Sequence, residues 1–115
     1  MKRTDAERLE MIIHIWEALS RQIDAKKITP EQLLRDEYTQ WAVTTPLYNI
    51  GEQVYGISPE FKQEHADIPW SMVSGLRHRL VHNYEGINWS VITEIVFGEM
   101  DVFVDQIKEI TAFTA

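Results

Sequence analysis

The sequence predicts an all-α protein, an antiparallel up-and-down bundle of four to five helices with one helix kinked near Pro46. Three observations support this prediction. Apolar residues recur at helical spacing along most of the chain, helix-capping residues precede the segments that carry them, and no alternating apolar pattern indicates a strand. With 115 residues, 44% of them hydrophobic, the chain is expected to form one domain over residues 1–115.

The first two helices are predicted from their start signals. Thr4 and Glu7 stand three apart, as in a capping box, ahead of an amphipathic apolar series: Leu9, Ile12, Ile13, Trp16, Leu19 and Ile23. Thr29, Pro30 and Gln32 repeat the signal, with proline at the first helical position, where its missing N–H costs nothing. We therefore expect a long first helix and a short second helix that ends at about residue 34.

A long third helix is predicted between residues 36 and 57. Its apolar residues keep helical spacing, but Pro46 removes one backbone hydrogen bond, so we expect a kink near Thr44 rather than two separate helices. Ser58 and Pro59 end this helix. The polar stretch that continues to Asp67 is expected to be a loop with room for a turn of helix.

Two further helices complete the predicted bundle. Pro69 begins a helix that directs Val73, Leu76 and Leu80 inward, and Asn88 caps the last helix. The last helix is expected to bury a long apolar stripe: Ile92, Ile95, Val96, Met100, Phe103, Ile107 and Ile110. The tryptophans are expected to pack in the core and at helix ends, with no aromatic ladder for stacking bases: Trp16, Trp41, Trp70 and Trp89.

Charge and composition restrict the possible functions. The formal net charge is -7, from 18 acidic and 11 basic residues, so any RNA contact is expected to be local and DNA binding is not expected. Because there is no cysteine, a disulfide framework, a thiol nucleophile and a thiolate metal site are excluded. The charges in residues 1–7 and the lack of about 18 consecutive apolar residues predict a cytoplasmic protein without a signal peptide or membrane span.

The segment 77–84 concentrates groups that bind phosphate or transfer protons: Arg77, His78, Arg79, His82 and Tyr84. Cleaving RNA without a metal requires a base for the ribose 2′-hydroxyl, an acid for the leaving oxygen and a fixed cation for the charge on phosphorus. Histidine exchanges protons near neutral pH, and arginine can hold a phosphate with two N–H groups. A solvated helix face of the same composition is the alternative interpretation.

Helical geometry suggests how this segment meets other groups. His78 and His82 are four residues apart and share one face of the predicted helix, and Val73, Leu76 and Leu80 anchor another side in the bundle. The histidines then face outward, where a second subunit could meet them. We therefore expect a homodimer cleft lined by Arg77, His78 and His82 of both chains.

Two further expectations concern the surroundings of this segment. Histidines four apart also occur in metal sites, but the residues between His78 and His82 lack a glutamate, and Arg79 would add a positive charge. No metal or other cofactor is therefore expected. Glu52 is expected to pair with an arginine of the helix that carries residues 77–84 and to orient it, with a simple surface position as the alternative.

The chain resembles the HepT-like branch of the HEPN superfamily. The resemblance is carried by residues 68–70, 75–77, 80–84 and 86–88, which read IPW, GLR, LVHNY and GIN. The family signature is Arg, four residues, His, one residue, Tyr, and it is matched by Arg77, His82 and Tyr84. Residues 50–52, which read IGE, resemble a second family block on the preceding long helix.

This resemblance implies a dimeric, metal-independent endoribonuclease that is the toxin of a toxin–antitoxin pair. Arg77 and His82 would carry the cleavage, and His78 and Arg79 would bind the RNA. A minimal nucleotidyltransferase antitoxin would attach AMP to Tyr84. Relatives usually have a polar residue, often Asn or Asp, where this chain has His78. Two alternatives follow from this departure: an intact site in which His78 positions phosphate or shares proton transfer, or an altered cleavage rate and specificity. The alternative is a catalytically silent HEPN protein that serves as a binding module or regulatory subunit of a nucleotidyltransferase.

Overall fold

The computed structural model describes residues 4–81 and 86–114, and within this part the chain is helical without a strand. The helices are α1 (Asp5–Ala25), α2 (Pro30–Arg35), α3 (Glu37–Gly56), α4 (Pro59–Glu64), α5 (Trp70–Ser74), α6 (Leu76–Val81), α7 (Trp89–Glu94) and α8 (Met100–Thr114). Gly75 alone separates α5 from α6, and a π-helical segment, Ile95–Glu99, joins α7 to α8. The predicted all-α bundle is confirmed. When α5 with α6, and α7 with α8, are each counted as one helix, the described residues contain six helices, against the four to five predicted.

The predicted helix starts are confirmed by capping hydrogen bonds. Thr4 and Glu7 form a reciprocal capping box on α1, and Thr29 and Gln32 form a second one on α2. On the last helix, the side chain of Asn88 accepts the backbone N–H of Val91. These side chains satisfy backbone donors that have no partner within the helix, which is why short polar signals in the sequence locate the starts well.

The third helix is not split at its proline. Pro46 lies inside α3, which continues to Gly56, so the prediction of one helix is confirmed while the kink itself stays a prediction. In the stretch after Ser58, which is expected to be a loop with room for a turn of helix, residues 59–64 form the short helix α4. The Ser58 hydroxyl caps this helix by accepting the N–H of Phe61, whose ring packs edge-on against Trp70 at 6.2 Å between centroids.

The core lies between α1, α3, the α5–α6 pair and α8. Helix α3 packs against α1 and against both α5 and α6, while α8 packs against α1 and α2 contacts α3 and α7. Val73, Leu76 and Leu80 are buried as predicted. All seven residues predicted for the apolar stripe of the last helix are buried: Ile92, Ile95, Val96, Met100, Phe103, Ile107 and Ile110. None of the described helices is long and apolar enough to cross a membrane.

The tryptophans differ in their burial. Trp16 and Trp70 are buried, and Trp89 is half-buried against the core. Trp41, near the start of α3, is 50% exposed and therefore does not belong to the core. Its position on α3 points away from the buried residues Val43 and Leu47, and its ring instead contacts Tyr38 edge-on at 5.3 Å between centroids.

Candidate functional site

A glycine brings α3 and α6 unusually close together. A methyl group on Gly51 would lie 2.9 Å from the backbone nitrogen of Arg77 and 3.3 Å from the carbonyl oxygen of Val73. Such contacts are tighter than van der Waals packing allows, so only glycine permits this approach. As a result, Glu52 on α3 and Arg77 on α6 are adjacent across the contact between the helices.

An ion pair joins the two helices at this point. The Nε–H of Arg77 donates to Oε1 of Glu52, and the side chains are 26% and 38% exposed. The hydrogen bond to Glu52 raises the pKa of Arg77 above its already high ordinary value, against a smaller opposing effect of desolvation. The contact predicted for Glu52 is therefore present, and Arg77 is a permanent cation held in one orientation.

An aromatic ring supports the same guanidinium. The Cζ atom of Arg77 lies 4.1 Å from the ring centroid of Tyr55, which is a cation–π contact. With Nε bound to Glu52 and one face on Tyr55, the two Nη groups have no other hydrogen-bond acceptor among the described residues. Their N–H groups can donate the two parallel hydrogen bonds with which arginine binds phosphate oxygens.

The two other basic residues on α6 lie in different places. His78 follows Arg77 and is exposed. Arg79 is exposed too, but it lines a separate cleft of about 240 Å³ together with Glu94 of α7 and Glu99 of the π-helical segment. Side chains two residues apart are about 200° apart around the helix axis and so point to nearly opposite sides. This explains why Arg77 and Arg79 lie in different places. The RNA-binding role of Arg79 stays a prediction, since the structure does not bring it to Arg77.

His82 and Tyr84 lie outside the described residues, so their predicted roles beside Arg77 stay predictions. Val81, the last residue of α6, is 50% exposed. Within residues 4–81 and 86–114, no group of three or more histidine, aspartate or glutamate side chains is placed to hold a metal ion.

The sequence interpretation missed two contributors to this site. Tyr55 is one helical turn beyond Glu52, so the spacing along α3 could have located it on the same face. Gly51 belongs to a block that the sequence interpretation singled out, but its close contact with Arg77 depends on how α3 and α6 cross. A single sequence contains no signal for that crossing.

Comparison with known proteins identifies the family to which this chain belongs. The family described as "Ribonuclease HepT-like" matches residues 6–110. A protein of Caldanaerobacter subterraneus subsp. tengcongensis, named as a candidate RNase (TTE0752), is 32% identical over 108 residues, which cover 94% of this chain and 95% of the relative. No solved structure matches the chain significantly.

Archaeal relatives support the same assignment. "Probable ribonuclease HepT" of Thermococcus cleftensis is 34% identical over 96 residues, covering 84% of this chain and 86% of the relative. A candidate RNase of Methanocaldococcus jannaschii (MJ0127) is 35% identical over 83 residues, covering 72% of this chain and 69% of the relative. The resemblance noted in the sequence is thereby confirmed, and this chain belongs to the HepT-like ribonuclease family.

Proposed function

We propose that this protein is an endoribonuclease that cleaves RNA without a metal ion and acts as the toxin of a toxin–antitoxin pair. The observation that carries the proposal is the fixed cation Arg77, which Glu52 and Tyr55 hold in place. In the sequence, Arg77 also matches the arginine of the family signature noted above. A protein with a net charge of -7 needs such a local cation to hold an RNA phosphate.

The proposed cleavage uses the ribose 2′-hydroxyl of the RNA as the nucleophile. The ribose 2′-oxygen attacks the neighbouring phosphorus, the bond from phosphorus to the 5′-oxygen breaks, and a 2′,3′-cyclic phosphate and a 5′-hydroxyl result. In our proposal, Arg77 binds the non-bridging oxygens, where negative charge builds up. His82 takes the proton from the 2′-hydroxyl, and a second histidine protonates the leaving 5′-oxygen. His82 of a second subunit, or His78 beside Arg77, is the candidate for that second histidine.

Silencing by a nucleotidyltransferase antitoxin is the second part of the proposal. Tyr84 stands two residues after His82, and attached AMP would bring bulk and a negative phosphate close to Arg77. That phosphate would compete with RNA for the same guanidinium. The modified toxin would therefore be inactive while its fold is retained.

The nuclease is tested with purified variants and an RNA substrate in the presence of a strong chelator. We expect Arg77→Ala and His82→Ala each to lower the cleavage rate by about 100-fold or more. Arg21→Ala, which removes an exposed arginine of α1, is the matched control and should cleave like the wild type. Cleavage by both site variants at the wild-type rate would refute the assignment of cleavage to Arg77 and His82. No cleavage by the wild type would favour the catalytically silent binding module instead. Activity that disappears with the chelator would contradict metal independence.

The antitoxin part is tested in cells and by labelling. Expression of the wild-type chain alone should arrest growth, and co-expression of its nucleotidyltransferase partner should relieve the arrest. We expect Tyr84→Phe to remain toxic in both cases and to take up no label from radioactive ATP, because its ring lacks the acceptor oxygen. Tyr38→Phe is the control and should be labelled like the wild type. Equal labelling of Tyr84→Phe would show that AMP is attached elsewhere.

A further inference from the structure

The ring of Tyr55 lies beside the Arg77 guanidinium, yet much of its surface is exposed. Tyr55 is 61% exposed, and the Cζ atom of Arg77 lies 4.1 Å from its ring centroid. No other ring or cation among the described residues stacks on it. One face of the ring therefore carries the guanidinium, and within this part of the chain the opposite face has no stacking partner.

Two packed helices hold this ring and the guanidinium together. On α3, Tyr55 follows the buried Val54 and stands one helical turn after Glu52, whose carboxylate accepts the Nε–H of Arg77. Arg77 itself lies on α6, which packs against α3. The ring and the cation are therefore presented side by side before any ligand binds, so a ligand that contacts both pays little to order them.

A second arginine adjoins the same end of α3. The guanidinium of Arg8 lies against Gly56, so closely that a Cβ atom there would overlap it, and its Nη1 donates to Oε1 of Gln53 at 3.1 Å. Arg8 of α1 and Arg77 of α6 are thus both close to the helix end that carries Tyr55. Proteins that bind single-stranded nucleic acid combine exposed rings with cations that follow the phosphate backbone. This end of α3 brings both kinds of group together in a protein whose net charge is -7.

The dimensions of this pair suit a nucleotide. A base stacks on an aromatic ring at about 3.5 Å, so a base on the open face of Tyr55 would lie about 8 Å from Cζ of Arg77. A phosphate held by the Nη groups of Arg77 and a base on that face can therefore belong to the same nucleotide or to adjacent ones, because the ribose between them passes the edge of a single ring. The arrangement offers one contact to the backbone and one to a base.

We propose that Tyr55 forms a base-stacking subsite for RNA, in which the base next to the phosphate held by Arg77 stacks on the ring face opposite the guanidinium. This subsite rests on the proposed function, because it binds the same phosphate that Arg77 holds for cleavage. Every base has a flat face, so the subsite accepts any base. In a duplex both faces of a base are covered by its neighbours, so the base must be unpaired. The substrate class is therefore single-stranded RNA or an unpaired loop.

Binding of RNA that cannot be cleaved tests this subsite. The two ligands are single-stranded octamers with 2′-O-methyl groups, which block cleavage. One consists of uridines, whose bases stack only weakly on one another, and the other has the same ribose–phosphate chain without bases. By fluorescence anisotropy, the wild type should bind the uridine octamer about 10-fold or more tightly than the abasic octamer, as the gain of one stacked base predicts.

Three variants identify the ring that is responsible for this preference. Tyr55→Leu keeps good helix propensity but removes the ring, so it should bind both octamers about equally. Tyr55→Phe keeps a ring and should retain most of the preference. Tyr38→Leu is the matched control, because it removes an exposed ring at the other end of α3, about 26 Å away along the helix axis. Both octamers offer the same phosphates to Arg77, so the ratio of their affinities reports the stacked base even if Arg77 moves.

The outcomes separate this subsite from the proposed nuclease. A wild type that binds both octamers equally or binds neither, or a Tyr55→Leu variant that keeps the wild-type preference, overturns the subsite even if RNA is cleaved as proposed. Conversely, a preference that depends on Tyr55 in a protein that cleaves no RNA leaves the subsite intact and refutes the nuclease. Where RNA is cleaved, the cuts in a hairpin substrate should fall in its unpaired loop, and cuts confined to the paired stem would overturn the subsite.

Discussion

Adding one methyl group at Gly51 perturbs the contact that positions Arg77. The methyl group of Gly51→Ala would meet the Arg77 backbone nitrogen at 2.9 Å and the Val73 carbonyl oxygen at 3.3 Å. These are backbone atoms, which cannot rotate away as a side chain can. Carbon contacts are favourable near 3.5–4.0 Å, so α3 and α6 must separate by about 0.5 Å.

The expected free energy combines two opposing effects. Overpacking of a close contact costs about 1–3 kcal/mol, whereas alanine is better than glycine inside a helix by about 1 kcal/mol. We therefore expect Gly51→Ala to lower the free energy of unfolding by about 1 kcal/mol. For a domain of this size, that change lowers Tm by about 4 °C.

Gly98 provides a matched control for helix propensity. It lies in the π-helical segment, and a methyl group there would have no atom within 4 Å among those described. Gly98→Ala should therefore raise the free energy of unfolding by about 0.5–1 kcal/mol. Urea unfolding of both variants should give values that differ by about 2 kcal/mol, with helix content unchanged.

The same variants connect packing to activity. Separating α3 from α6 by about 0.5 Å moves Arg77 relative to the other groups of the site. A misplacement of about 1 Å can cost about 100-fold in rate, so we expect a loss of about 10-fold here. Gly51→Ala should therefore cleave RNA more slowly at temperatures where it is fully folded, and Gly98→Ala should not. A Gly51→Ala protein that is as stable and active as Gly98→Ala would refute the role assigned to this close approach.

Two further predictions concern side chains on α3. Glu52→Ala should lower the rate of RNA cleavage by about 10- to 100-fold because Arg77 loses its orientation. Glu52→Gln should keep most of the wild-type rate, since its amide oxygen can still accept the Nε–H of Arg77. Equal rates for the two variants would contradict a positioning role. Hydrogen bonds from the Thr39 hydroxyl and then its backbone N–H lower the pKa of Asp36 below 3.8. The Asp36 carboxylate therefore binds a proton less readily in the folded state than in the unfolded state. Its contribution to the free energy of unfolding is complete above pH 3.8 and is lost as the pH falls through the lowered pKa. Urea unfolding should show the advantage of wild type over Asp36→Asn shrinking as the pH is lowered through and below 3.8. An advantage independent of pH would rule out this linkage.

Local signals in the sequence located most of the helices correctly. Thr4, Thr29 and Asn88 cap helices as predicted, because a capping hydrogen bond joins residues only three positions apart. The sequence allowed for a turn of helix at α4 but did not give its bounds, because its six residues form no apolar stripe. This helix depends on the cap at Ser58 and on Phe61 packing against Trp70. The π-helical segment was missed, since its extra residue per turn leaves the apolar spacing of the last helix almost unchanged.

The candidate site was predictable only in part. The pairing of Glu52 with an arginine was expected from the sequence, but the choice of Arg77 required the observed contact between α3 and α6. Arg79, two residues further on, has the same chemistry and lies in another cleft beside Glu94 and Glu99. Composition cannot separate these two arginines, because the direction of each side chain depends on which face of α6 is buried.

The sequence by itself determined the family, the all-α class and the residue types available for cleaving RNA, because these depend on spacing and chemistry within short segments. Tertiary structure alone decided that Gly51 admits α6, that Tyr55 supports the Arg77 guanidinium and that Trp41 is exposed. Each of these facts depends on how separate helices approach one another. That approach results from the packing of the whole core, to which residues far apart in the chain contribute together.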